Sequence, residues 1–238
     1  MHEASFLHDY DPNAFERLSV AVDLLLMTVA DGAPAALLIR RADHPHRGRW
    51  ALPGGFVGPD ESLNAAARRV LTVKAHMDGA FIEQLYTFGD PGRDPRTRIV
   101  SVAYLALLPA DRFAATLTGA PDLTLARLDM AADGEAATAR DAAGAALPLA
   151  FDHAAMLGLA VKRLRGRLDY SPIAFALLPE RFTLRALQDE HEAIAGRALN
   201  KPAFRRRMLD RGWLQPTGER ATGTSFRPPE LYRFRNPD

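Results

Sequence analysis

The sequence predicts an α/β (α+β) protein in two parts: a mixed β-sheet sandwiched by helices, followed by a basic winged helix-turn-helix. Three observations carry this prediction. β-Branched and leucine-rich runs are joined by turn residues in the first half of the chain. A helix with one apolar face interrupts these runs. Near the C-terminus, a helix, a short turn, a basic helix and two strand-like pieces follow in that order.

The strands are predicted from apolar runs that are bounded by turn signals. The first two runs are SVAVDLLLMTV and APAALLIRRA, and the Ala-Asp-Gly at 30–32 between them predicts a hairpin. The run WALPGGFV breaks at the Pro-Gly-Gly of 53–55, where glycine permits backbone angles that other residues avoid. Two further strands, AFIEQLYTF and RIVSVAYLALL, flank the turn-rich stretch GDPGRDPRT.

Helices in the first part are predicted from their capping residues. The Asp-Glu-Ser of 60–62 offers an N-cap for a helix that reaches about His76. Asp152 is predicted to cap another helix, whose apolar residues up to Leu168 share one face. Residues 109–147 include AADGEAATARDAAGAA, which suits a helix or a flexible connector equally, so no element is predicted there. The stretch DYSP indicates a linker, which divides the chain into 1–169 and 170–238.

The second part has the order of a winged helix-turn-helix. Thr183 is predicted to cap its first helix and Gly196 to end it. Asn200 is predicted to cap the second helix, with Pro202 in the first turn and Gly212 at the end. The stretch WLQPTGERATGTSFRPPELYRF then predicts a hairpin wing around a loop rich in Gly, Thr, Pro and Arg.

Positive charge is concentrated in this second part. Residues 1–169 hold 18 Lys and Arg against 21 Asp and Glu, whereas residues 170–238 hold 12 against 8. This asymmetry favours a polyanionic partner for the second part, with a solvated basic face as the alternative. The sequence has no cysteine, which excludes disulfides and thiolate metal sites. It also shows neither a signal peptide nor a run long enough to span a bilayer, so we expect a cytoplasmic protein without membrane contact.

Residues 55–77, GFVGPDESLNAAARRVLTVKAHM, resemble the Nudix box, the metal-binding signature of hydrolases that split nucleoside diphosphates linked to another group. That pattern runs G-x5-E-x7-R-E-U-x-E-E-x-G-U, where U is apolar. Gly55, Glu61 and Arg69 occupy their places in it. The resemblance implies a helix that faces a nucleotide pocket.

The departures from this box concern its metal ligands. Val70, Val73 and Lys74 stand where three glutamates belong, and His76 replaces the closing glycine. Positions 70, 73 and 74 share one helix face, where glutamates would converge on hard divalent cations. Valine offers no lone pair and lysine repels a cation, so we expect no catalytic Mg²⁺, no metal site and no catalytic residue. Both valines are expected in the core, and the site is predicted to bind without cutting.

Further stretches resemble the Nudix-related transcriptional regulators of NAD metabolism, the NrtR family. They are LYTFGDPGRDPRTRIVSVAYLAL and LAFDH after the box, FTLRALQDEHEAIAGRALNKPAFRRRML, and RPPELYRF. The resemblance covers residues 18 to 235 and is weak over 109–147. It implies a Nudix domain that senses ADP-ribose or a related nucleotide without a required cofactor. It also implies homodimers whose winged helices bind palindromic DNA operators, usually as repressors released by the ligand.

The ligand pocket is predicted to involve fourteen residues: Arg40, Trp50, Gly54, Gly55, Phe56, Arg69, Lys74, Tyr86, Phe88, Arg93, Asp94, Arg96, Arg98 and His153. The three arginines of the 93–98 loop suit a pyrophosphate, or alternatively ion pairs with the loop aspartates. Lys74 suits a ligand phosphate in place of the metal, or is an exposed lysine. Tyr86 and Phe88 share one strand face, where one is expected to contact ligand and the other to fill the core.

DNA contact is predicted for ten residues: Thr183, Asn200, Lys201, Ala203, Arg206, Arg207, Arg220, Thr222, Thr224 and Arg227. Helical spacing puts Phe204, Met208 and Leu209 on the buried side of the basic helix, so Arg206 and Arg207 are expected to point outward. Relatives commonly carry Asn-Phe-Arg-Arg here, and Ala203 replaces that asparagine, which removes one base contact from the expected set.

Two other functions remain open at the level of sequence. One is an ADP-ribose pyrophosphohydrolase with unconventional metal ligands such as Glu61, Glu83 or Asp94. The lost glutamates weigh against it, since each 1.36 kcal/mol of transition-state stabilisation is worth tenfold in rate. The other is a ligand-gated adaptor that uses its winged helix to contact another protein. A steep salt dependence of DNA binding would distinguish a DNA-binding regulator from such an adaptor.

Overall fold

The computed structural model describes residues 3–11, 14–222 and 228–235. Within these ranges, no helix has the length and apolar character needed to cross a bilayer. Thr224 and Arg227, both predicted to contact DNA, lie outside the described residues.

The first part of the chain is built on a mixed sheet, which has nine strands within the described ranges. The strands are β1 (Ser19–Ala30), β2 (Ala33–Arg40), β3 (Trp50–Ala51), β4 (Gly54–Phe56), β5 (Glu83–Phe88), β6 (Ile99–Leu107), β7 (Leu123–Met130), β8 (Ala137–Arg140) and β9 (Ala146–Leu147). Their order is β5-β6-β1-β2-β7-β8-β9, with β3 on β2 and β4 on β1. β1 and β6 are parallel and the other pairs are antiparallel.

Helices cover this sheet and build the second part. They are α1 (Glu3–Asp9), α2 (Leu63–Ala75), α3 (Asp111–Leu117), α4 (His153–Arg167), a 3-10 helix (Ile173–Leu177), α5 (Leu184–Ala195) and α6 (Lys201–Asp210). Strands β10 (Leu214–Arg220) and β11 (Glu230–Phe234) pair antiparallel and complete the winged helix-turn-helix. The predicted architecture is therefore confirmed.

The central strand β1 is buried on both faces. Val22, Leu24 and Leu26 face a cluster that includes residues of α2 and α3. Leu25 and Met27 face a second cluster, which continues through α4 into the winged helix. Because side chains alternate across a strand, burial on both faces requires the near-continuous apolar run that the sequence shows.

The predicted caps hold where they rest on local chemistry. Ser62 Oγ accepts from the Ala65 N–H and begins α2, and His76 ends that helix in the left-handed region. Thr183 Oγ1 and Asn200 Oδ1 cap α5 and α6 in the same way. Gly196 ends α5 with a φ of 69°. Each cap satisfies an N–H or carbonyl that a helix end leaves unpaired.

Residues 109–147, where no element was predicted, form α3 and strands β7 to β9. Several of their small side chains pack in the core. Ala126, Ala137 and Ala139 are buried, and α4 lies so close that a Cβ on Gly158 would come within 2.6 Å of the Glu135 carbonyl oxygen. The alanines and this glycine allow a helix to approach the sheet closely, so they are not a flexible connector.

The stretch predicted as a linker is a short turn. Residues 168–172 form turns and bends, and the following 3-10 helix contributes Phe175 and Leu177 to the cluster that also holds Met156 of α4. One apolar core thus runs from the sheet into the winged helix. The division into 1–169 and 170–238 stays a proposal about folding units.

Glu190 on α5 has a buried carboxylate oxygen, Oε2, without a hydrogen-bond partner in the described structure. Burial, reinforced by the charge of Asp189, raises the pKa of Glu190 from 4.5 to about 7. Between about pH 4.5 and 7, the folded protein therefore keeps a proton on Glu190 that the unfolded chain releases. The stability from this proton is fully present below about pH 4.5 and is lost as pH rises through about 7.

We expect Glu190→Gln to remove this pH dependence. At pH 8 the variant should gain up to about 2 kcal/mol in the free energy of unfolding over the unmodified protein, because it no longer buries a carboxylate charge. Partial exposure of Glu190 screens that charge and limits the gain. At pH 4.5 the two should differ little. Urea unfolding at both pH values measures this, with Glu180→Gln on the surface as the control. Equal pH dependence of the two proteins would contradict the assignment.

Candidate ligand pocket and nucleic-acid interface

A cavity of about 400 Å³ opens at one end of β1, where β2, β4 and α2 meet the loops around Asp94 and Phe151. Nine residues predicted for the ligand line it: Arg40, Gly54, Gly55, Phe56, Lys74, Arg93, Asp94, Arg96 and His153. The sequence prediction thus converges on one cavity, although these residues come from positions 40 to 153. Whether each of them contacts a ligand stays a prediction.

Glycine is required where β4 closes the pocket. β4 pairs with β1 so that Gly54 lies opposite Asp23. A Cβ on Gly54 would lie 2.1 Å from Asp23 Oδ1 and 2.9 Å from the Val22 carbonyl oxygen, both closer than real atoms approach. This glycine therefore allows the two strands to approach closely.

A buried ion network forms the floor of the cavity. Arg93, whose side chain is 5% exposed, donates from Nη2 and Nε to Asp152 Oδ1 and Oδ2 at 2.7 and 2.9 Å. Its Nη2 also lies 3.8 Å from Asp23 Oδ2, and Asp23 accepts a hydrogen bond from the Ser101 hydroxyl. Asp152 is the N-cap residue of α4, as predicted, but its side chain makes no capping hydrogen bond, because both of its oxygens accept from Arg93. Such bidentate geometry holds a guanidinium in one orientation.

His153 completes this network in its neutral form. Its Nδ1 accepts from the Leu52 N–H at 2.9 Å, so the ring proton is on Nε2, which lies 3.8 Å from Asp23 Oδ1. Burial lowers the pKa of His153, which keeps the ring uncharged despite the nearby aspartate. The residue therefore joins β1, the loop at 52 and the start of α4.

Cations on aromatic rings form the wall near the 93–98 loop. Arg96 donates to both oxygens of Asp94 at 2.8 and 3.0 Å, and these hydrogen bonds lower the pKa of Asp94. The guanidinium of Arg96 lies 5.3 Å from the ring centre of Phe56, and that of Arg41 lies 4.8 Å from Phe151. For Arg96, the predicted alternative of an ion pair with a loop aspartate is therefore present in this structure.

Five residues predicted for the ligand lie outside the cavity lining: Trp50, Arg69, Tyr86, Phe88 and Arg98. Trp50 and Phe88 pack against the main core, and Tyr86 is exposed beside Phe88 on β5. Arg98 has a buried Nη1 that no group in the described structure accepts from. Pocket-lining roles for these five are not supported by their positions.

The C-terminal part presents an exposed basic face. Lys201, Ala203 and Arg206 are exposed on α6, whose first turn Asn200 caps. A second groove between α5, α6 and the wing is lined by Thr183, Lys201, Arg205, Arg220 and other residues. Thr222 is exposed beyond β10. Helix N-termini and exposed cations of this kind suit a phosphate backbone.

The predicted orientation of α6 is wrong for two residues. Leu209, placed on the buried side by helical spacing, is 44% exposed. Arg207, predicted to point outward, is half-buried, lies over Phe204 and pairs with Asp169 at 3.2 Å. The buried face of α6 is centred on Phe204 and Met208. Arg207 lies at the edge of this face because its partner Asp169, in the turn after α4, is on that side.

The two parts of the chain match two family models. Residues 17–137 match the NUDIX domain, and residues 174–234 match the NrtR DNA-binding winged helix domain. A curated relative, the ADPR responsive transcriptional repressor NtrR of Acinetobacter baylyi, is 34% identical over 234 residues. This match covers 98% of the chain and 88% of the relative. The chain belongs to the NrtR family.

Solved NrtR structures share the fold. NrtR of Shewanella oneidensis complexed with a 27mer DNA superposes with a TM-score of 0.76 at 34% identity, covering 91% of this chain and 93% of that one. The NUDIX domain of the same NrtR, in a cocrystal with ADP ribose, is 36% identical with a TM-score of 0.54. It covers 69% of this chain and 99% of that domain. The Nudix domain and the C-terminal winged helix are thus both those of NrtR proteins.

In this NrtR-family chain, the Nudix box helix carries Val70, Val73 and Lys74 at its three missing glutamate positions. Val70 is buried, whereas Val73 is 62% exposed, so the prediction that both valines are core residues is wrong for Val73. Lys74 Nζ donates to the Gly54 carbonyl oxygen at 2.6 Å, in the cavity wall. Burial, together with the charge of Arg41, lowers the pKa of Lys74. An ammonium and two valines replace the oxygen ligands that Mg²⁺ prefers.

The remaining acids of the proposed alternative metal site are held by arginines. Glu61 accepts from Arg69 at 2.7 Å through both oxygens and from the Gly58 N–H, and these hydrogen bonds lower the pKa of Glu61 to about 2. Glu83 pairs with Arg167, and Asp94 with Arg96. Among the described residues, no three acidic or histidine side chains are grouped closely enough to hold a metal ion.

The cavity lining of this NrtR-family chain also includes residues that the sequence did not predict, among them Asp23, Arg41 and Phe151. An aspartate within an apolar strand is a signal that could have indicated Asp23, because a buried carboxylate requires partners. Phe151 has a φ of 51°, which is strained for a bulky residue, and strained residues of this kind cluster at functional sites. No local pattern in the sequence indicates that φ value.

We expect Phe151→Ala to weaken nucleotide binding by about tenfold or more, since stacking on one aromatic ring contributes about 1–3 kcal/mol. Phe151→Tyr keeps the ring and should bind within about twofold of the unmodified protein. Phe151→Gly should lose affinity as alanine does but be more stable than alanine, because glycine tolerates the positive φ. Calorimetric titration with ADP-ribose and thermal unfolding measure both effects. Full affinity in the alanine variant would exclude a ligand contact.

Proposed function

We propose that this protein is a transcriptional repressor of NAD-metabolism genes that leaves its operator when ADP-ribose or a related nucleotide binds the Nudix pocket. One observation carries the proposal: Lys74 occupies the box position of a metal-binding glutamate and lies in the wall of a cavity that also contains Arg93 and Arg96. Cations there suit a pyrophosphate without a metal. The family supplies the link to ADP-ribose and to DNA.

The proposed Nudix domain binds its ligand without hydrolysing it. Hydrolysis in the fold depends on carboxylates that hold a cation and activate water. In this chain Glu61 is neutralised by Arg69, and the Lys74 ammonium hydrogen-bonds the Gly54 carbonyl oxygen. A bound pyrophosphate would therefore meet positive charge without an activated nucleophile.

The proposed DNA contacts come from α6 and the wing. Lys201 and Arg206 are exposed, and Asn200 and Thr183 lie at helix N-termini where backbone N–H groups meet phosphates. Ala203 leaves a methyl group where family members carry an amide, which suits contact with a thymine methyl rather than with adenine. Arg220 and Thr222 lie at the described end of the wing. Arg207 is held back by Asp169 and is a weaker candidate.

The proposed active form is a cytoplasmic homodimer on a palindromic operator. Two-fold related recognition helices reach successive major grooves when they are about 34 Å apart. A ligand that favours another dimer geometry then reduces the affinity for DNA by a coupling free energy.

Mobility-shift assays on the DNA upstream of its own gene, with and without ADP-ribose, test this function. A hydrolysis assay with Mg²⁺ runs in parallel, in which a phosphatase releases inorganic phosphate from the products AMP and ribose 5-phosphate. We expect a shift that weakens steeply with salt and is reversed by ADP-ribose, and no turnover. Efficient turnover without any DNA shift would establish the hydrolase instead.

A further inference from the structure

α4 reaches from the ligand pocket to the DNA-binding part of the molecule. It runs from His153 to Arg167, so it is about 22 Å long at the usual rise of about 1.5 Å per residue. Its buried face packs in the core that continues into the winged helix. A packed helix of this kind moves as a rigid body, so a displacement at one end reaches the other.

The N-terminal end of α4 is fixed by pocket residues. Asp152, which precedes the helix, receives two hydrogen bonds from Arg93, and His153 accepts one from the Leu52 N–H. Arg93 and His153 both line the cavity. A ligand phosphate next to Arg93 competes with Asp152 for the same guanidinium donors, because both are anions. Ligand occupancy therefore acts on the start of α4.

The C-terminal end of α4 is fixed to the winged helix. Arg165 Nε donates to the Ile194 carbonyl oxygen in the last turn of α5 at 2.8 Å. Two residues after α4, Asp169 Oδ1 accepts from Arg207 Nη1 at 3.2 Å, and the Asp169 carbonyl oxygen accepts from Arg211. Both arginines belong to α6 or its C-cap. The recognition helix is thus held by the turn that ends α4.

We propose that α4 transmits ligand binding to the recognition helix, and that Asp169 is the positioning residue through which it acts. The proposal rests on the proposed function and adds the route by which the two sites are coupled. In the free protein, the Asp169 side chain holds α6 through Arg207, while the Asp169 carbonyl oxygen accepts from Arg211. When ligand draws Arg93 from Asp152, α4 shifts and carries these contacts with it, which changes the position of α6 relative to DNA.

Asp169→Asn tests the proposal through the coupling factor, the ratio of DNA dissociation constants with and without saturating ADP-ribose. We expect a factor between about 5 and 150 for the unmodified protein, the usual range for allosteric proteins, and at least a fivefold smaller factor for the variant. The ratio divides out any uniform gain in DNA affinity from the released Arg207. Affinity for ADP-ribose without DNA should stay within about twofold.

Glu135→Gln is the matched control. It removes the surface pair between Glu135 and Lys162 of α4, at 2.9 Å, which does not involve the winged helix. Its coupling factor should equal that of the unmodified protein. The side chains of Asp169 and Glu135 are 77% and 72% exposed, so both variants are expected to fold, and thermal unfolding checks this.

The outcomes separate the two proposals. If the unmodified protein responds to ADP-ribose and Asp169→Asn responds with the same factor, the proposed route through the Asp169 side chain is overturned and the proposed function stands. If the unmodified protein binds DNA but shows no response, both proposals fall. A reduced factor in both variants would indicate a general loosening of α4 and would overturn the specific role of Asp169.

Discussion

Replacement of Arg93 by alanine is expected to be the most damaging single change in the pocket. Arg93 is almost completely buried and compensates Asp152 directly and Asp23 more weakly. Removing one partner of a buried ion pair leaves an uncompensated charge, at a cost of about 3–5 kcal/mol. We therefore expect a loss of about 3 kcal/mol in the free energy of unfolding and no measurable binding of ADP-ribose. Urea unfolding and calorimetry measure the two effects.

Controls for this change separate charge from geometry. Arg93→Lys keeps the charge but cannot make the bidentate contact to Asp152, so it should recover part of the stability and little of the ligand affinity. Arg127→Ala removes an arginine from an exposed pair with Asp129 and should cost less than about 1 kcal/mol. Unchanged stability of Arg93→Ala would show that the buried network is not needed for the fold.

Lys74→Glu restores a box glutamate and reverses the charge of the pocket wall. In magnesium-free buffer we expect affinity for ADP-ribose to fall by at least about tenfold, because a charged hydrogen bond of about 1.5–3 kcal/mol is lost and repulsion is added. The Nζ contact with the Gly54 carbonyl oxygen is lost too. Titration calorimetry in EDTA is the measurement.

Arg68→Glu provides the comparison for Lys74→Glu. Arg68 is exposed on the same helix, does not line the cavity, and its replacement changes the net charge equally. Its affinity for ADP-ribose should stay within about twofold. Equal affinities of the Lys74 and Arg68 variants would mean that the ammonium makes no ligand contact, and Lys74 would then be a structural residue.

The parts of the fold that follow from local chemistry were predictable. Ser62, Thr183 and Asn200 cap the helices that they were predicted to cap, because each side chain accepts from an N–H three residues along the chain. The Asp-Gly turn at 31–32 joins β1 to β2 and is also decided locally, because both residues adopt the positive φ that such a turn requires. Each of these features is decided within four residues of sequence.

Packing between distant segments decided the parts that were not predictable. The alanines at 126, 137 and 139 are buried where α4 approaches the sheet, and the sequence does not indicate the approach. Asp152 precedes its helix as the predicted N-cap residue, but its side chain binds Arg93, which is 59 residues away in sequence, and caps no N–H. Arg207 likewise turns toward Asp169, because a carboxylate 38 residues earlier lies beside it.

The sequence predicted many of the pocket residues, but the predicted set was incomplete. The degenerate box identified Gly55 by its place in the pattern and Lys74 by the replacement of a metal-binding glutamate. Asp23 was missed because it precedes the box in sequence, and its partners Arg93 and His153 come from distant segments of the chain. Phe151 was missed because its importance lies in a backbone angle.

Affinity for ADP-ribose in EDTA and in Mg²⁺, combined with mass analysis of the recovered nucleotide, tests the central claim most directly. If protein cations hold the pyrophosphate, the dissociation constants should agree within about twofold and the nucleotide should be recovered intact. Binding that requires Mg²⁺ and returns AMP with ribose 5-phosphate would contradict the account, since the metal would then be bound and active despite the valines and the lysine.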